Sequence, residues 1–101
     1  MSFTKTWSEL QINLKPGTSI RNWTSAKGYL GDEFKVISVA STHVEVDSPN
    51  AETFQRVSKK DFEFMFDNWN QYCAGDLKRQ DLVKKTRVSK YTMSILKHLL
   101  F

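Results

Sequence analysis

The chain has one cysteine, two histidines, two prolines and four glycines in 101 residues. A lone cysteine, Cys73, excludes an internal disulfide and a cysteine-rich zinc site. His43 and His98 stand too far apart in sequence for a ligand spacing, so no metal and no other cofactor is implied. Scarce proline and glycine exclude a low-complexity or collagen-like chain. Gly28 and Gly31 lack the spacing of a phosphate-binding loop. No run approaches the roughly 20 apolar residues that span a bilayer, so no membrane partner is expected. Lys5 and Glu9 interrupt the first residues, which therefore lack the apolar core of a targeting segment. Together with the single cysteine, this predicts a cytoplasmic protein. Nothing points to a small-molecule substrate.

Hydrophobic residues make up 40% of the chain, enough for a real core without staples. The length predicts one domain over residues 1–101. The net charge of +4 is unevenly placed. Residues 1–53 hold five Lys/Arg and six Asp/Glu, a net of −1; residues 54–101 hold ten and five, a net of +5. After Gly75, seven bases face two acids. A one-sided basic segment favours an anionic partner such as nucleic acid, although a solvated helical surface has the same composition.

The local patterns predict an α+β fold. Thr6 is placed to cap a first helix over Trp7 to Leu14, with Glu9 completing a capping box and Trp7, Leu10 and Leu14 on one face. Pro16-Gly17 ends that helix. Ser19 to Thr24, Phe34 to Ala40, His43 to Asp47 and Phe54 to Val57 read as strands, with Ser41-Thr42 a tight hairpin connection. Trp23 to Phe34 reads as a long loop. Ser58 caps a helix whose first turn carries Asp61. Phe62, Phe66, Trp69 and Cys73 follow at helical spacing, with Phe64 off that stripe and Gly75 as the stop. Cys73 then reads as a small buried hydrophobe. Asp76 or Arg79 opens a short helix through Lys85, and Ser89 caps a last one through Leu100. The expected architecture is a small antiparallel sheet of three or four strands, open or barrel-like. An N-terminal helix and two or three C-terminal helices pack on it.

The segment Leu82 to Leu96 resembles the helix-turn-helix of bacterial repressors. The matching residues are Leu82, Val88-Ser89, Thr92-Met93-Ser94 and Leu96. The chain departs from that motif with Val83 for a small residue, Arg87 for the turn glycine and Ile95 for a groove-facing polar residue. The resemblance implies that Lys90 and Tyr91 face the major groove while Lys84, Lys85 and Arg87 sit near phosphates; the alternative reading of the same residues is a two-helix cap whose Tyr91, Ile95 and Leu99 close the core. A second resemblance covers more of the chain. The strings LKPGTSIRNWTSAKGYLGDEFKVISV, RVSKKDFEFMFDNW and SKYTMSIL resemble a family of short uncharacterised bacterial proteins, some carried on mobile gene cassettes. That likeness supplies no activity and no binding residue.

Enzyme chemistry is poorly supported, and the expected function is non-enzymatic. Glu33-Phe34-Lys35 has the acidic-x-Lys form of some metal-dependent nucleases, but the only earlier carboxylate is Glu9, in a helix. Glu45 and Asp47 share a strand face and read as ordinary hairpin charges. Two function classes remain. One is a nucleic-acid-binding module using Lys84, Lys85, Arg87, Lys90 and Tyr91. The other is a protein-interaction or homodimerisation module, its partner surface built from Phe64, Met93, Leu96 and Leu100.

Overall fold

Local signals set where each element begins. The computed structural model describes residues 2–49, 52–83 and 88–100. Helix α1 spans Phe3–Asn13 and starts a turn earlier than the Thr6 cap predicts. Ser2 is the cap, its hydroxyl accepting the Lys5 N–H at 3.3 Å. Thr6 lies inside the helix instead, its hydroxyl donating to the Ser2 carbonyl at 3.2 Å. That bond satisfies Thr6 on its own helix and removes it as a cap. Trp7, Leu10 and Leu14 are buried together as their spacing predicts. Gly17, at φ +90°, turns the chain into the sheet.

Four antiparallel strands follow in a meander, β1 Ser19–Thr24, β2 Gly28–Val39, β3 His43–Asp47 and β4 Gln55–Ser58. The sheet is open at both ends of the β1-β2-β3-β4 order and does not close into a barrel. Ile20 pairs with Phe34, Val36 with Val46, and Val44 with Val57, and all six are buried on the helix-covered face. Arg21 pairs with Glu33, Lys35 with Asp47, and Glu45 with Arg56. These opposite-charge pairs alternate with the buried ones, so one face is dry and the other carries both signs.

The expected Trp23–Phe34 loop is instead mostly strand. Only Ser25, Ala26 and Lys27 form the turn, and β2 begins at Gly28. Register shifts between Arg21 and Trp23 break the alternation there, which disguises a strand as a loop.

On the covered face, β1 lies against the last helix and β4 against α2, with α1 beside α2. Helix α2 (Lys59–Asp67) opens with the Ser58 cap. The Ser58 hydroxyl accepts the Asp61 N–H at 3.2 Å, and the Asp61 carboxylate accepts the Ser58 N–H at 3.0 Å. The chain breaks at Asn68 before α3 (Trp69–Cys73), and the Asn68 side-chain amide donates to the Phe64 carbonyl at 2.8 Å. The buried stripe runs one residue beside the expected one. Phe62, Met65, Trp69 and Tyr72 are buried, Phe66 is half-buried against Phe3 at 5.6 Å, and Cys73 is exposed. Phe64 is half-buried and packs on the core. Gly75, at φ +87°, ends α3. Helix α4 spans Arg79–Val83 and α5 spans Ser89–Leu100. Among the described residues four helices follow the sheet, and they are the expected C-terminal helices with the first divided in two at Asn68.

Candidate functional site

Helix α5 was expected to be a recognition helix, and its surroundings decide what it can touch. Tyr91, Thr92, Met93, Ser94, Ile95 and Leu96 are all buried, six residues in succession. Six successive residues span more than one full turn, so every side of the helix is covered along that stretch. Two of its buried hydroxyls are satisfied within the helix: that of Thr92 donates to the Ser89 carbonyl at 2.9 Å and that of Ser94 to the Lys90 carbonyl at 2.8 Å. Ser89 is itself helical and buried, and its hydroxyl has no hydrogen-bond partner, so it does not cap.

The candidate residues separate accordingly. Tyr91 does not face outward, because its ring meets Phe34 edge-on at 5.0 Å inside the core. Met93 and Leu96 are fully buried within the chain, so they offer no partner surface. Lys90 is half-buried, its ammonium 4.9 Å from the Tyr91 ring centroid. Lys97 stands 5.2 Å over the Trp23 ring. Lys84, Lys85 and Arg87 lie outside the described residues, as does the Leu100 side chain. A major-groove reader needs an exposed face on its second helix. Helix α5 has none between Tyr91 and Leu96, which leaves Lys90 and Lys97 at its rims.

The chain matches no family model, no curated protein and no solved structure. What it can bind must therefore be argued from its own surface.

The carboxylates weighed for metal chemistry are dispersed. Glu33 faces Arg21 across the strands, and Lys35 faces Asp47. Glu45 accepts from the Ser38 hydroxyl at 3.1 Å and lies 3.8 Å from His43. Among the described residues no three His, Cys, Asp or Glu side chains converge, and no helix is long and apolar enough to cross a membrane.

One concave feature has no counterpart in the sequence reading. A cleft of about 590 Å³ opens between the β1–β2 turn and the connection from α3 to α4. Leu30 and Leu77 give it apolar walls, and Lys27 and Lys78 contribute its cations. Tyr72 contributes to the lining, where its hydroxyl accepts the Ser25 N–H at 3.0 Å and donates to the Met93 sulfur at 3.2 Å. Cys73 also lines it. Partial burial pushes its thiol above the ordinary cysteine value, and the positive charge of Lys97 pulls the other way. The walls come from segments 47 residues apart, which is why no local pattern announces the cleft. A glycine stop after an aromatic helix and a turn holding a lysine were its only sequence traces.

Proposed function

We propose that this protein is a small, non-enzymatic, cytoplasmic module that binds nucleic acid through phosphate contacts. The observation that carries the reading is the charge distribution: residues 54–101 carry a net +5 and residues 1–53 a net −1. Lys84, Lys85, Arg87 and Lys90 supply four of the seven bases after Gly75. With the middle of α5 enclosed, binding rests on these cations and not on a helix laid in the groove. Phosphate contact is sequence-independent and salt-sensitive, so weak discrimination between DNA sequences is expected.

A mobility-shift titration of duplex DNA at several salt concentrations tests this. Affinity should fall with a log–log slope of about −0.9 per phosphate contact. Changing Lys84, Lys85, Arg87 and Lys90 together to Gln should flatten the slope. Absence of retardation by the wild-type protein at low salt would reject the reading.

The alternative is a protein-interaction or homo-oligomerisation module, of the kind a mobile gene cassette carries. Ile12 and Phe54, exposed at 65% and 55%, favour it. Half-buried Phe64 contributes less. Light scattering decides this reading: a mass twice that of the chain, reduced by Ile12→Ser or Phe54→Ser, supports it.

A further inference from the structure

We propose that the cleft between the β1–β2 turn and the α3–α4 connection binds a small organic anion with an apolar body, a medium-chain carboxylate being the simplest example. At about 590 Å³ the cleft is of the size that holds small ligands, which runs from about 300 to 1,000 Å³. Leu30 and Leu77 would take the apolar body. Lys27 and Lys78 contribute from its two walls, one from the hairpin turn and one from the segment before α4, and among the described residues no carboxylate is in the lining. The nearby Asp81 carboxylate accepts the backbone N–H of Lys78 at 3.0 Å and is not part of the lining. Apolar walls with cations from both segments suit an amphiphile of negative charge.

The cleft is built before any ligand arrives. The Ser25–Tyr72 hydrogen bond joins its two walls, and Tyr72 is anchored in turn on Met93 of α5. Such preorganisation lowers the ordering cost of binding. The inference stands apart from the nucleic-acid reading, because neither Lys27 nor Lys78 belongs to the four residues changed in that test.

Cys73 supplies the measurement. It is exposed and lines the cleft, so an occupant should shield it from alkylation. The rate of N-ethylmaleimide reaction is measured with octanoate, with octanol, and with sodium chloride at matched ionic strength. Calorimetry measures octanoate binding directly. Octanoate is expected to slow alkylation saturably, octanol much less, and chloride not at all. The Lys27→Gln/Lys78→Gln double variant, whose changes are exposed and spare the fold, should bind octanoate at least about tenfold more weakly, the factor given by 1.4 kcal/mol of lost interaction. An alkylation rate indifferent to octanoate would overturn the proposal. So would equal protection by octanol, or unchanged octanoate affinity in the double variant. DNA retardation by that double variant is read in parallel, so failure here is distinguishable from failure of the nucleic-acid reading.

Discussion

The backbone N–H of Trp23 donates to the side-chain hydroxyl of Ser94 at 3.0 Å, which ties the outer edge of the sheet to α5. An edge strand leaves unpaired N–H groups that invite another chain, and here a helix side chain takes one of them. The same hydroxyl donates to the Lys90 carbonyl, so it is fixed from both sides. Ser94→Ala removes both bonds and leaves the Trp23 N–H without its partner. It should cost about 1–3 kcal/mol in urea unfolding. A neutral result would mean that water replaces the hydroxyl at no cost.

Tyr72→Phe removes the acceptor for Ser25 and the donor to Met93 while keeping the ring. The loss should be about 1–2 kcal/mol, with faster hydrogen exchange at the Ser25 amide. Unchanged protection of that amide would contradict the hydrogen bond across the cleft.

Phe62 and Phe66 occupy one helix, four residues apart, with different surroundings. Phe62 is wholly buried against Trp7 at 5.5 Å, whereas Phe66 meets Phe3 near the surface. Phe62→Ala should destabilise by about 3–5 kcal/mol and Phe66→Ala by distinctly less. Paired denaturant melts check the order, and equal losses would contradict the assigned helix register.

The Cys73 thiol is raised by partial burial and lowered by Lys97. A raised thiol holds its proton at neutral pH, and only the thiolate reacts. The midpoint of the rate–pH curve of alkylation should therefore lie at higher pH than that of the same chain unfolded in urea. Lys97→Gln removes the opposing effect and should move the midpoint to higher pH still. A shift to lower pH in that variant would remove Lys97 from the neighbourhood of the sulfur.

Much of the fold was legible because its signals are local. The Ser58–Asp61 box, the Val44–Val46 alternation and the Trp7–Leu10–Leu14 stripe each lie within one element and report on it directly. Errors arose where a neighbour decides. Residues 23–34 looked like a loop because a bulge interrupts alternation and only the partner strand restores it. Cys73 looked buried because a stripe through Phe62, Phe66, Trp69 and Cys73 fits the helical period, whereas the buried side runs through Phe62, Met65, Trp69 and Tyr72, a neighbouring helical spacing of the same period. On helix α5 the repressor-like motif would turn Tyr91 outward, whereas a two-helix cap closed by Tyr91, Ile95 and Leu99 matches the burial: Tyr91 and Ile95 are buried and Leu99 packs on the core. Thr92 and Ser94 bond within the chain and go under. The basic excess was legible as composition, and the cleft was not legible at all, since its walls meet only after folding.

The Trp23–Ser94 bond spans 71 residues. Such long closures must be made before their contacts repay them, which slows folding relative to helical bundles of the same length. On the ribosome the consequence is sharper. The meander can be synthesised in full while its apolar face waits for a helix not yet made. Until residues 89–96 emerge, β1 lacks the helix that packs on it and Phe34 lacks Tyr91, so the apolar face of the nascent sheet is open to association.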